Sequence, residues 1–206
     1  MQLERFLEAL ASDRPTPGGG SASALAGALS ASLVAMVAGF SCKGRGVQTR
    51  EMREIRKKAL AIRERLTRAI EEDAGSYEAV LKAFRLPREG ERERLYRSRS
   101  IQRAYQGATV TPQKVCELSL RLLEFSKILL ARGNRNAFSD TGVAAYLADT
   151  AMGGGLLNIR INLASIRDKT FRREKEKAMG DLSKKRHRLI GAIQKEMQEA
   201  FKTALI

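Results

Sequence analysis

An uncharged stretch from Pro15 to Phe40 constrains the fold of this chain more than any other feature. It begins with PTPGGG and continues through about twenty residues of Ala, Ser, Gly, Leu, Val and Met. The prolines and glycines at its front predict a turn. The residues from Ser21 onward predict a helix that is small or apolar on every face. Such a helix is buried either in a helical bundle or in a lipid bilayer.

The stretch is long enough to span a membrane. However, four serines dilute it, Ala and Gly contribute little to insertion, and the sequence has no second comparable span. A signal peptide fits poorly, because Gln2 to Arg14 is amphipathic and is not a short basic leader. We therefore interpret the stretch as the central helix of a bundle, and we expect a cytoplasmic protein with no membrane partner.

Good helix formers dominate the rest of the chain, and strand-like alternation is nearly absent. The length of 206 residues suits one domain, covering residues 1–206. The predicted class is all-α, an up-and-down bundle of long helices. The expected helices are Gln2–Ala11, Ser21–Phe40, Thr49–Leu86, Glu91–Ala108, Pro112–Arg132 (capped by Thr111), Thr141–Ser165 and Asp168–Leu205.

The cysteines and the histidine exclude several kinds of chemistry. Cys42 and Cys116 form no CxxC motif, and His187 is the only histidine. A zinc site is therefore not expected, and neither is a Ser-His-Asp or Cys-His mechanism. The last helix is expected to direct inward Leu182, Leu189, Ile193, Met197 and Phe201. His187 is expected to face solvent, because it lies about 200° around that helix from Leu189.

The formal net charge of +15 concentrates in two segments. Lys43 to Arg68 carries ten basic residues against three acidic, and Ile166 to Arg188 carries ten against four. A basic surface suits nucleic acid, an acidic membrane or a polyanionic small molecule. Nucleic acid is not favoured, since the aromatic stacking residues of RNA-binding proteins are missing. A solvated face with alternating charges and a site for a polyanionic ligand both remain open.

One acidic residue interrupts the apolar stripe of the third helix. The stripe runs through Met52, Ile55, Ala59, Ile62, Leu66 and Ile70 and resumes at Tyr77, Val80 or Leu81, and Phe84. Asp73 occupies the stripe position between Ile70 and Tyr77. A buried carboxyl costs free energy unless a partner satisfies it. Burial also raises its pKa, which suits acid-base catalysis. Either a structural hydrogen bond or a catalytic role explains Asp73.

A second uncharged helix follows the loop from Gly133 to Asp140. That loop delivers Ser139 or Asp140 to the helix start, where a carboxylate is stabilised by free N–H groups. Gly153–Gly155 indicates a close approach of another backbone or a bend. Asp140 and Asn158 share a face of this helix but lie about 27 Å apart along it. Asn158 and Asn162 are therefore assigned to buried hydrogen bonds or an interface.

Four segments, in this order, resemble the cyclodeaminase/cyclohydrolase family. They are PTPGGGSASALAGALSASLVAMV, EEDAGSYEAVLKAFRLP, RSIQRAYQGATVTP and GNRNAFSDTGVAAYLADTAMGGGLLNIRINL. The family includes the cyclodeaminase domain of formiminotransferase-cyclodeaminase and stand-alone methenyltetrahydrofolate cyclohydrolases. The resemblance spans nearly the whole chain.

The resemblance implies an all-helical homodimer acting on a one-carbon derivative of tetrahydrofolate, without a metal or redox cofactor. The expected activity is a cyclohydrolase, which adds water to 5,10-methenyltetrahydrofolate to give 10-formyltetrahydrofolate. The alternative is a cyclodeaminase, which converts 5-formiminotetrahydrofolate to the methenyl form and ammonia. A helical dimer that binds an anionic partner without catalysis is the third hypothesis.

Asp140 is the first candidate for the acid-base residue, from its place in the family motif, and Asp73 is the second. Free N–H groups at the start of the glycine-turn helix would suit an anionic or carbonyl group of the substrate. The basic segments would hold an extended glutamate tail of the folate. The expected substrate-binding residues are Pro17, Gly18, Gly19, Gly20, Ser21, Lys43, Tyr77, Asn136 and Ser139.

Overall fold

A computed structural model describes residues 2–42 and 46–204 of the chain. Helices dominate it, and the described residues contain no strand, as predicted for an all-α bundle. The α-helices are α1 (Leu3–Leu10), α2 (Gly19–Phe40), α3 (Val47–Phe84), α4 (Glu91–Ala108), α5 (Val110–Arg132), α6 (Phe138–Ala164) and α7 (Lys169–Ala204). A short 3₁₀ helix, Arg135–Ala137, precedes α6.

Helices α2 and α6 form the centre of the bundle. Helix α2 packs against α3, α5 and α6, and α6 also packs against α5 and α7. Small side chains allow these approaches, and Ala24, Ala31, Ala144, Ala148 and Ala151 are fully buried. Helix α2 is long and apolar enough to cross a membrane, but 56% of its most apolar window is buried inside the bundle. This burial supports its interpretation as a core helix.

The glycine triplet of α6 permits three close approaches within one continuous helix. A Cβ atom on Gly153 would lie 3.3 Å from the guanidinium of Arg186 on α7. One on Gly154 would overlap the hydroxyl of Ser23 on α2. One on Gly155 would lie 2.9 Å from the carbonyl oxygen of Pro112 on α5. Each glycine therefore faces a different neighbouring helix.

Helix α3 buries the predicted stripe as far as Ile70 and then changes its contacts. Val80 and Ala83 are buried after that point, whereas Tyr77 and Phe84 are 43% and 44% exposed. The predicted continuation of the stripe is therefore confirmed at Val80 and wrong at Tyr77 and Phe84. The main hydrophobic core includes residues of α3 only as far as Ile70, and the last three turns of α3 border a cavity and α4.

Several helix boundaries differ from the prediction. Helix α2 begins at Gly19, two residues before Ser21. Helix α5 begins at Val110, so that Thr109 and not Thr111 precedes it. The proline at position 112 still lies in the first turn of α5, where its missing N–H costs nothing. Helix α6 begins at Phe138, which places Ser139 and Asp140 in its first turn.

The final helix, α7, covers the bundle with its apolar face. Ile193 and Met197 are buried as predicted, and His187 is exposed as predicted. Phe201, predicted to point inward, is 49% exposed and contacts the edge of Phe138 at a centroid distance of 5.7 Å. It packs near the bundle end, where fewer neighbours surround it.

Candidate active site

A cavity of about 380 Å³ opens where the glycine turn meets α3, α4 and α6. This volume lies within the range of small-molecule sites. The turn and α2 contribute Pro15, Thr16, Gly18, Gly19 and Gly20; α3 contributes Asp73, Ser76 and Tyr77; α4 contributes Tyr105 and Ala108; α6 and the residue after it contribute Asn158, Ile161, Asn162, Ala164 and Ser165.

Asp73 contributes a carboxyl group to the lining of this cavity. It sits on the core side of α3, as its stripe position predicted, and is partly buried. Burial raises the pKa of its carboxyl above the ordinary value of 3.8, and hydrogen bonds from the hydroxyl and backbone N–H of Ser21 oppose that shift. A carboxyl with this environment is suited to exchange a proton with a bound molecule.

The Ser21 hydroxyl can adapt to either protonation state of Asp73. Its oxygen lies 3.1 Å from Oδ2 of Asp73 and 3.0 Å from the carbonyl oxygen of Ile70. Because a hydroxyl has one proton and two lone pairs, it can donate to the ionised carboxylate. When Asp73 is protonated, it can donate to Ile70 and accept from the acid. Ser21 is fully buried, so water does not compete for these bonds.

The cavity brings together one part of the predicted site. Gly18, Gly19 and Gly20 line it with Asp73 and Tyr77, and Ser21 supports the carboxyl from behind. Pro17 lies in the turn between two lining residues, after a cis peptide bond from Thr16.

The other predicted residues lie elsewhere. Ser139 and Asp140 are in the first turn of α6, and Asn136 lies in the 3₁₀ helix just before it. Asp140 is about 27 Å along α6 from the cavity residue Asn158. Asn136 and Ser139 are exposed and Asp140 is half-buried. Lys43 lies outside the described residues. Within one copy of the chain, Asp140 and Asp73 therefore do not share a cavity.

The sequence interpretation missed Tyr105, Asn158 and Asn162 as lining residues. Asn158 and Asn162 were assigned to hydrogen bonds or an interface, and they do make hydrogen bonds. The amide of Asn162 donates to the carbonyl oxygens of Ala108 at 3.1 Å and Asn158 at 2.9 Å. Their spacing of four residues indicated one helix face. The spacing did not indicate which helix that face would meet, because this depends on how the whole bundle packs.

Comparisons with known proteins agree with the motifs. A family model described as Formiminotransferase-cyclodeaminase matches residues 2–181. A methenyltetrahydrofolate cyclohydrolase from Methylorubrum extorquens is 32% identical over 98% of this chain and 96% of its own length. A formimidoyltransferase-cyclodeaminase from Rattus norvegicus is 29% identical over 96% of this chain, which spans 35% of that longer protein.

The fold also matches a solved structure. The crystal structure of formiminotetrahydrofolate cyclodeaminase from Thermotoga maritima superposes with a TM-score of 0.87 at 27% identity, covering 98% of each chain. The shared architecture therefore extends over the whole bundle, including the elements that enclose the cavity.

Proposed function

Because the chain belongs to the formiminotransferase-cyclodeaminase family, we propose that it is a folate one-carbon enzyme with its chemistry at the Asp73 cavity. The family resemblance predicted from the motifs is confirmed. Two relatives match over nearly their full length, and we favour the cyclohydrolase reaction because the cyclohydrolase is 32% identical and the Thermotoga cyclodeaminase is 27% identical. The observation that carries the proposal is a partly buried carboxyl with a raised pKa in a cavity of suitable size.

In the proposed reaction, Asp73 moves one proton. Ionised Asp73 accepts a proton from the water that attacks the methenyl carbon between N5 and N10. The carbon–N5 bond then breaks, Asp73 returns its proton to N5, and the hydroxyl proton of the added water passes to solvent as the formyl group forms. Burial raises the pKa of Asp73 and so assists the first step, in which the carboxylate accepts the proton from water. The reaction uses no metal or redox cofactor.

The cyclodeaminase reaction is the second candidate, supported by the names of the rat and Thermotoga relatives. There, N10 attacks the formimino carbon and ammonia leaves, so the neutral form of Asp73 would donate a proton to the departing nitrogen. The raised pKa of Asp73 suits this donor role as well. The named relatives are enzymes, which favours both reactions over a non-catalytic dimer.

The two reactions are distinguished by one experiment. Purified protein is offered 5,10-methenyltetrahydrofolate and, separately, 5-formiminotetrahydrofolate, and the methenyl absorbance is followed. A cyclohydrolase accelerates its decay with the first substrate, whereas a cyclodeaminase produces it from the second. The Asp73→Asn variant is the matched control. Absence of both activities would overturn the proposed function.

The proposal includes a cytoplasmic homodimer, formed through the uncovered faces of α2 and α6. Both helices expose large apolar side chains on the face that has no neighbour. On α6 the exposed large apolar side chains are Val143, Tyr146, Leu157 and Ile161, between 46% and 69% exposed; Thr150 and Arg160 are exposed as well. On α2, Leu29 and Phe40 are 49% and 52% exposed. Exposed apolar faces of this kind mark interaction sites.

The pattern on α6 favours an antiparallel pair of α6 helices. Val143 and Ile161 each lie nine residues from Met152, and Tyr146 and Leu157 lie six and five residues from it. A two-fold axis that crosses the exposed face of α6 at the level of Met152 would therefore place the apolar side chains of one copy against those of the other. Self-complementarity of this kind supports a second copy of the chain as the occupant.

This pairing would give Asp140 a place in the site. Asp140 and Ala164 each lie twelve residues from Met152, and Ala164 lines the cavity. Asp140 of a second copy would thus stand beside the cavity end of α6, together with Ser139 and Asn136. The proposal is that Asp73 of one copy and Asp140 of the other serve one site.

A basic groove between α6 and α7 would hold the glutamate tail of the folate. It has a volume of about 660 Å³, and it shares the lining residue Ala164 with the Asp73 cavity. Arg160, Arg172 and Lys184 line it, opposed by one carboxylate, that of Glu176. This balance suits a chain of carboxylates. It also gives the basic segment around α7 a specific role.

A further inference from the structure

Asn158 and Asn162 present a fixed pattern of hydrogen-bonding groups to the cavity. Both side chains line it from α6 and lie one turn apart. The amide nitrogen of Asn162 lies 2.9 Å from the carbonyl oxygen of Asn158 and 3.1 Å from that of Ala108. The amide nitrogen of Asn158 lies 2.8 Å from the carbonyl oxygen of Gly154.

These bonds decide which atoms remain for a ligand. A carboxamide has two N–H donors and one oxygen with two lone pairs. Asn162 uses both donors on backbone carbonyls, which leaves its Oδ1 as an acceptor only. Asn158 uses one donor, which leaves its Oδ1 and one N–H. Neither Oδ1 accepts a hydrogen bond from the described part of the chain.

The orientation of Asn162 is locked by its neighbours. Rotation of the carboxamide by half a turn would bring its oxygen against two carbonyl oxygens and remove two hydrogen bonds. Ala108 is the last residue of α4, so this bond also ties the end of α4 to α6. The acceptor at Asn162 is therefore built into the junction of two helices and does not depend on a ligand.

We infer that Asn158 and Asn162 determine specificity for the donor edge of a 2-amino-4-oxopyrimidine ring, the polar end of a folate. That edge carries a ring N–H beside an exocyclic amino group, flanked by a carbonyl oxygen. The acceptor-only Asn162 pairs with the amino group. Asn158, with one acceptor and one donor, pairs with the adjacent ring amide. This inference rests on the proposed function, whose substrate it orients.

The aromatic lining is consistent with a planar ring at this position. Tyr77 and Tyr105 line the cavity from α3 and α4. Tyr105 is held by Phe84, with ring centroids 6.2 Å apart and an interplanar angle of 85°. A ring lying between these side chains and α6 would direct its polar edge at the asparagines, with Asp73 beside it on α3.

The test pairs changes in the ligand with changes in the protein. Binding of 5-formyltetrahydrofolate and its 2-desamino analogue, in which hydrogen replaces the amino group, is measured by calorimetry. Wild-type protein should bind the amino form about tenfold more tightly, as expected for one neutral hydrogen bond. In Asn162→Ala the two ligands should bind within about threefold of each other, since the acceptor is gone. Gln194→Ala, which removes an exposed carboxamide on α7, should retain the wild-type ratio.

Turnover provides a second readout that a structural role would not move. Loss of a contact made equally in ground and transition states raises KM and leaves kcat unchanged. Asn158→Ala, which gives up only a bond within its own helix, should show this pattern even if Asn162→Ala folds poorly. A wild-type ligand ratio in folded Asn162→Ala, or no discrimination by wild-type protein that turns over folate, would overturn this inference alone. Failure of wild-type protein to bind or convert folates would overturn the proposed function as well.

Discussion

A Cβ atom on Gly20 would overlap both carboxylate oxygens of Asp73. Cβ atoms on Gly18 and Gly19, the other two glycines of the turn, would lie at 3.7 Å or more from their neighbours and would fit. Gly20 therefore allows α2 to begin directly against the carboxyl on α3. The next residue, Ser21, then supplies the hydrogen bonds to Asp73.

Replacing Gly20 by Ala should displace Asp73 and impair both stability and activity. We expect a loss of about 1–3 kcal/mol in the free energy of unfolding, as for overpacked sites, together with a lower kcat. Gly75→Ala is the matched control, because Gly75 lies in α3 with open space around it. Since alanine favours a helix more than glycine does, this variant should gain up to about 1 kcal/mol in the free energy of unfolding. Denaturant unfolding and turnover check both variants, and a Gly20→Ala protein equal to wild type would contradict the assignment.

Asp73→Asn should reduce kcat about 100-fold or more, which is the range for loss of a general acid-base residue. Its helical circular dichroism should stay unchanged, because an amide oxygen can still accept from Ser21. Asp140→Asn should also cut turnover severely if Asp140 completes the site. Asp181→Asn, on the exposed side of α7, is the control. Near-normal turnover in Asp73→Asn would eliminate that residue as the proton carrier.

The stability of the protein should depend on pH through Asp73. Its pKa is raised in the folded state above 3.8, so between 3.8 and the folded value the unfolded chain binds fewer protons. The free energy of unfolding therefore falls as pH rises through this window. Asp73→Asn removes that contribution. Wild type should lose stability relative to the variant as pH increases from about 4, and parallel curves from urea unfolding would refute the burial effect.

Mixing two inactive variants tests the composite site. In a heterodimer of Asp73→Asn with Asp140→Asn, one of the two sites contains both native carboxyls. After unfolding and refolding together, the mixture should recover about a quarter of wild-type activity, from random pairing of copies. Leu157→Arg, which puts a charge on the exposed face of α6, should yield monomers by sedimentation and abolish this recovery. Activity that stays at the sum of the separate variants would exclude a shared site.

Longer glutamate tails should increase affinity through the groove between α6 and α7. A triglutamate substrate should bind several-fold more tightly than the monoglutamate, with the gain reduced at high salt. The double variant Arg160→Ala/Lys184→Ala should lose this gain, whereas Arg121→Ala on α5 should keep it. If tail length has no effect on wild-type affinity, the basic charge serves another purpose.

Much of the fold was accessible from local patterns. Residue spacing predicted every long helix, and it placed Asp73 on the core side of α3 at the point where the stripe stops. The Pro-Gly turn before α2 was equally clear, because glycine and proline act on the backbone at their own positions. Helix ends were less accurate, as shown by Thr111 and by Ser21. The terminal turn of a helix can shift by one or two residues, so a capping pattern alone does not fix the first residue.

The composition of the site depended on packing. The sequence alone determined that Asn158 and Asn162 share one face of α6, and that a glycine triplet lies beside them. Only the tertiary structure decided that this face meets the glycine turn and α3. It also decided that each glycine of the triplet allows a different helix to approach α6 closely. The periodicity of a helix fixes which side chains point together, whereas the neighbour of that face is set by how several helices fill the same volume. For this reason Asp73 was found from its spacing, and the asparagines opposite it were not.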